Sequence, residues 1–125
     1  MIVLDASLLI AFFRATDVHH ARARAIMETG EPTAASAITV AEFLVGPART
    51  GREAQAQHAL QQLRVATVPI AAEDPPGLAV LRMQTGLRLP DCCVLSAAQA
   101  VHADTIGTFD ERLAAAARAR GLSVA

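Results

Sequence analysis

Four carboxylates, Asp5, Glu42, Asp91 and Asp110, interrupt or border apolar runs in a chain of 125 residues. An ionised carboxylate taken out of water costs several kcal/mol unless something pairs with it. The chain contains no lysine, and none of its arginines is expected to pair with these acids inside their segments. A hard divalent cation, bound by oxygen alone, is the simplest shared counter-charge, and this favours Mg²⁺ or Mn²⁺. Such a site lowers the pKa of bound water and braces an in-line displacement at phosphorus.

The elements that must position these acids follow from local pattern. Ile2-Val3-Leu4 is a β-branched apolar run, and a helix capped near Asp5 or Ser7 follows it. His19 to Thr29 is helical in pattern, stopping at Gly30, and Thr33 to Ser36 reads as a very short strand. A short helix is expected from Ile38 to Val45, carrying Glu42 and closed by Gly46-Pro47. Arg52 to Leu63 is a further helix, Val65 to Ile70 a strand, and Asp74-Pro75-Pro76 the capped start of a helix ending at Gly86. Asp91 opens a nearly all-apolar, buried helix. Thr105 to Thr108 is a strand, Asp110 caps the helix Glu111 to Ala119, and Leu122 to Val124 is a last strand.

Alternating strands and helices of this kind make an open parallel α/β sheet with helices on both faces. In such sheets ligands bind at the carboxyl ends of the strands, near the switch in strand order. Asp5 and Asp110 directly follow predicted strands, and Glu42 and Asp91 belong to the flanking helices. Each acid also has a structural explanation: Asp5, Asp91 and Asp110 as helix caps, each contributing about 1 kcal/mol, and Glu42 as an exposed helical residue. Their coincidence in one expected place favours a shared site. Carboxylates about 4 Å apart repel by roughly 4 kcal/mol per pair at an effective dielectric of about 20, a penalty that a cation removes.

Length and composition narrow the class. The chain is of a size that forms one domain, residues 1–125, without covalent staples. Cys92 and Cys93 are adjacent, lack the spacing of a zinc site and read as small buried residues suited to a reducing compartment. No segment resembles a signal peptide or reaches the roughly 20 apolar residues of a membrane span, so a cytoplasmic protein is expected. A formal charge of −1 offers no overall basic excess, so any grip on a polyanion must be local. The four phenylalanines do not suggest a base-stacking platform.

The segments MIVLDASLLIAFF, ITVAEFLVG, GLRLPDCCVLSAAQA and TIGTFDERL, in this order along the chain, resemble those of PIN-domain ribonucleases of the VapC toxin type. That resemblance implies a three-layer α/β/α fold with a central, mostly parallel sheet. It also implies Mg²⁺- or Mn²⁺-dependent hydrolysis of RNA, with Asp5, Glu42, Asp91 and Asp110 as metal-binding and catalytic acids. Ser7 and Thr108 match the family's supporting hydroxyl residues, although Ser7 serves equally well as a plain helix cap. A homodimer and a cognate antitoxin lying in the active groove are further implications. Asp104, which precedes its strand, is left outside the site.

Arg14, Arg49, Arg52 and Arg112 are the candidates for holding RNA phosphates, although solvated helix positions explain them as well. His19 and His20 lack the spacing of a zinc face and read as surface residues. Receiver-like and haloacid-dehalogenase-like phosphoryl chemistry, which also uses strand-end aspartates, relies on a lysine that is absent here. A catalytically silent PIN domain that only binds protein is the alternative from another functional class.

Overall fold

The structure is a computed structural model that describes residues 1–125. Its strands are β1 (Ile2–Leu4), β2 (Thr33–Ser36), β3 (Val65–Val68), β4 (Thr105–Gly107) and β5 (Ser123–Val124). Its helices are α1 (Ala6–Phe13), α2 (His20–Met27), α3 (Ala37–Ala48), α4 (Glu53–Gln62), α5 (Pro75–Thr85), α6 (Leu89–Ala100) and α7 (Glu111–Ala119). The strands form one sheet in the order β3-β2-β1-β4-β5, with every neighbouring pair parallel. The chain winds outward from β1 through β2 to β3, then returns to the other side of β1 through β4 to β5. The switch in strand order therefore falls between β1 and β4, whose carboxyl ends lead into Asp5 and Thr108.

Successive strand residues point to opposite faces, and this alternation divides the core into two apolar layers. Val3, Ala34, Val68 and Ile106 pack with α5, α6 and α7. Ile2, Leu4, Ala35 and Val65 pack with α1 to α4 through Leu8, Leu9, Val40 and Phe43. The result is the expected three-layer α/β/α architecture. Gly107 lacks a side chain at a crowded point: a Cβ there would lie 2.9 Å from Leu8 Cδ1 and 3.0 Å from Leu4 Cδ2. No helix is long and apolar enough to cross a membrane.

The expected elements are present, with corrected boundaries. Helix α3 runs through Gly46-Pro47 to Ala48. Pro47 has no N–H to bond the Phe43 carbonyl, and the helix continues only one residue beyond it. Strand β3 ends at Val68, before Pro69, which has no N–H to donate to a ladder. Asp74 occupies the N-cap position of α5 without capping it; its carboxylate turns back to accept from Ala71 N at 2.8 Å.

Candidate active site

The construction of the site starts at Asp5. Its backbone N–H donates to the Gly107 carbonyl at 3.0 Å, so β1 and β4 stay paired to the point where both chains leave the sheet. The side chain caps α1 by accepting from Leu8 N at 3.0 Å, and it is 5% exposed. Two hydroxyls donate to the same carboxylate: Ser7 to Oδ1 at 2.6 Å and Thr108 to Oδ2 at 2.5 Å.

The direction of these two bonds is fixed from behind. Ser7 Oγ accepts from Phe109 N at 3.1 Å, and Thr108 Oγ1 accepts from Asp110 N at 2.9 Å. With backbone donors occupying their lone pairs, both hydroxyls turn their single protons toward Asp5. The pocket thus suits the ionised, acceptor-only form of Asp5. Burial nevertheless holds its pKa above the usual aspartate range, against the hydrogen bonds from Ser7, Thr108 and Leu8, and Asp110 adds to the rise.

Glu42 lies half-buried on α3, whose N-terminus Ser36 fixes by accepting from Thr39 N at 3.0 Å. Asp91 sits in the first turn of α6 with a side chain 14% exposed. It is not the helix cap that a lone aspartate suggests there, because Arg88 occupies that position and no side-chain cap bond forms. Asp110 is a true cap: its Oδ1 accepts from Arg112 N at 2.8 Å and Leu113 N at 3.1 Å. Its other oxygen has no protein donor. Asp104 lies at the opposite end of β4, exposed and 3.8 Å from the N-terminal amine.

Burial is the first cause that raises both Glu42 and Asp91, and neighbouring acids raise them further: Asp91 and Asp5 act on Glu42, and Asp110 and Asp5 act on Asp91. All four carboxylates therefore share one electrostatic neighbourhood. They do not close on a single point, since no three acidic, histidine or cysteine side chains are gathered tightly enough to hold one ion as they stand. The donor chemistry fits a hard divalent cation: oxygen ligands only, anionic, mutually repelling and partly free of protein donors.

Arg88 was missed by the expectation that no arginine pairs with the acids. Its Nε lies 3.7 Å from Asp91 Oδ2, and its charge is the main influence lowering both Asp91 and Glu42. The signal was present in sequence as a basic residue three positions before the acid, at the entry to its helix. Of the expected phosphate-holding arginines, Arg14 and Arg49 line an open groove of about 620 Å³ with Glu42, Phe13, Phe43 and Val45. Arg112 donates to the Gly86 carbonyl at 3.1 Å, and its charge also lowers Asp91. Arg52 stands at the start of α4.

The PIN domain family model matches residues 2–119. The chain belongs to the PIN domain family. Among solved structures this PIN domain is similar to a VapC20 toxin of Mycobacterium tuberculosis described as cleaving the sarcin-ricin loop, with TM-score 0.79 and 16% identity over 93% of this chain and 95% of that one. A toxin-antitoxin complex from Klebsiella pneumoniae matches with TM-score 0.76 and 26% identity over 92% of this chain and 91% of that one. VapBC2 of Rickettsia felis, bound to a DNA fragment from its promoter, matches with TM-score 0.67 and 18% identity over 100% of this chain and 98% of that one. The two likenesses at 16% and 18% identity speak to the fold alone. No curated protein sequence matches the chain.

Proposed function

We propose that residues 1–125 act as a single-domain, Mg²⁺- or Mn²⁺-dependent endoribonuclease, the toxin of a VapBC-type pair. The observation that carries this reading is the proximity of four acids by the β1/β4 switch at the carboxyl edge of the sheet, where, in addition to burial, Asp110 raises Asp5 and Asp91, and Asp5 and Asp91 raise Glu42. Bound divalent metal would supply an activated water and neutralise charge at the phosphodiester. Asp5, Asp91, Asp110 and Glu42 would hold it, with Ser7 and Thr108 orienting Asp5 as described. Arg88 and Arg112 offer donors to substrate phosphates next to the acids, and Arg14 and Arg49 do so along the groove.

The toxin reading draws on the likeness to the Klebsiella toxin-antitoxin complex and on the VapC-like sequence motifs; a cognate antitoxin comes with it as a proposed partner, and a homodimer is proposed from the motif resemblance alone. The groove beside Glu42 has aromatic and aliphatic walls with two arginines, and it would accommodate an antitoxin segment of mixed apolar and acidic character. Action on RNA in the cytoplasm completes the proposal.

The test is cleavage of structured RNAs by antitoxin-free protein with and without Mg²⁺ or Mn²⁺. Metal-dependent cutting that disappears in Asp5→Asn and Asp91→Asn supports the proposal. Intact RNA under all metal conditions points instead to a silent, protein-binding PIN domain.

A further inference from the structure

His19 does not behave as an isolated surface residue. Its ring stacks on Phe109 with centroids 4.4 Å apart and planes inclined by only 9°. Phe109 lies between Thr108 and Asp110, and its backbone N–H donates to Ser7 Oγ, so the stacked pair is anchored to the residues that orient Asp5. The corner that presents His19 is also fixed. Its backbone N–H donates to Asp17 Oδ1 at 2.8 Å, and the neighbouring His20 Nδ1 donates to the Ala11 carbonyl at 2.8 Å.

Beyond covering Phe109, the His19 side chain has no hydrogen-bond partner in the protein. It makes no hydrogen bond capping α2, the residue is exposed, and Phe109 occupies only one face of the imidazole. The other aromatic contacts, Phe12 with Phe13 and Phe13 with Phe43, lie across the α1/α3 side. No stacking platform was expected from the phenylalanines alone, because this one pairs a phenylalanine with a histidine distant in sequence.

We propose that the His19–Phe109 stack is a substrate-positioning platform on which an unpaired base of the RNA stacks beside the carboxylates. Single-stranded RNA is held largely in this way, since every base has a π-face and an aromatic ring gives affinity without a demanding sequence code. His19 then contributes to substrate binding and leaves the chemical step to the acids. The inference rests on the endoribonuclease reading for its substrate class, and binding and cleavage are therefore measured separately.

Binding of a fluorescein-labelled, mixed-sequence single-stranded RNA is followed by anisotropy with Ca²⁺ present, and cleavage is followed with Mg²⁺, for wild type, His19→Ala, His19→Phe and His19→Lys. His19→Ala is expected to weaken binding at least about fivefold and to raise KM with kcat unchanged. His19→Phe restores both, whereas His19→Lys does not, which separates stacking from charge. Equal RNA affinity of wild type and His19→Ala overturns the platform, even if the protein cuts RNA. Rescue by His19→Lys alone also overturns it, in favour of a phosphate contact. Sensitivity to His19 in binding without any cleavage upholds the platform and removes the nuclease reading. No RNA binding by wild type removes both.

Discussion

Replacing Thr108 with valine tests the construction of the site more sharply than removing any acid. The substitution preserves a β-branched shape in a position that is 4% exposed, and it deletes one hydroxyl. That hydroxyl donates to Asp5 Oδ2 and accepts from Asp110 N. A hydrogen bond to a charged acceptor contributes about 1.5–3 kcal/mol, and a stranded buried donor costs about 1–3 kcal/mol. Asp110 is only half-buried, so water recovers part of the second loss, and the expected destabilisation near pH 7 is about 2–4 kcal/mol. Thr108→Ser keeps both bonds, removes one methyl group and is expected to cost about 1 kcal/mol. The pH dependence has a definite sign. The Thr108 hydroxyl lowers the Asp5 pKa, so its loss raises that pKa further and the penalty is largest where Asp5 is ionised. Urea unfolding of the three proteins near pH 7 and near pH 4 measures this. A Thr108→Val loss below about 1 kcal/mol near pH 7, or an equal loss at both pH values, refutes the reasoning.

Asp5, Glu42 and Asp91 have folded-state pKa values raised above their ordinary ones, so their contribution to stability is present below the ordinary carboxylate range and is lost as pH rises through the raised values. Metal-free protein is accordingly expected to melt at a lower temperature near pH 7 than near pH 5, with added Mg²⁺ narrowing the gap; calorimetry checks this. Asp91→Asn is expected to abolish RNA cleavage while leaving the metal-free melting temperature equal or higher, as it removes a ligand and a repulsive charge together. Gly107→Ala places a methyl against the fully buried Leu8 and Leu4, and thermal denaturation is expected to show a loss of about 1–3 kcal/mol. Arg88→Ala removes an exposed ion pair worth about 0–1 kcal/mol. It is expected to leave folding stability nearly unchanged, to tighten Mn²⁺ binding and to weaken RNA binding, as read by titration and by anisotropy.

The sequence made the strand ends legible because each short β-branched run terminates in a residue with a second role. Asp5 caps α1, and Asp110 caps α7. The same local logic misled at Asp91, where the capping position belongs to Arg88 and the acid lies inside the first turn, under the influence of Arg88, Arg112 and the other carboxylates. It misled again at Gly46-Pro47, where α3 runs past the proline and ends at Ala48. What local pattern cannot express is contact between distant segments. The donation from Thr108 to Asp5 spans 103 positions, and only the pairing of β1 with β4 makes it visible. The His19–Phe109 stack is hidden for the same reason. Family-like motifs pointed to Ser7 and Thr108, but the orientation of their protons emerged only from the backbone donors at Phe109 and Asp110.

Whether four acids contributed by separate elements hold one cation is answered most directly by titrating Mn²⁺ into metal-free protein near pH 7 and following the free ion by electron paramagnetic resonance. Saturable binding to wild type, weakened at least about tenfold in both Glu42→Gln and Asp91→Asn, is the predicted result. Absence of saturable binding at millimolar Mn²⁺, or affinities unchanged in both variants, would contradict a shared site.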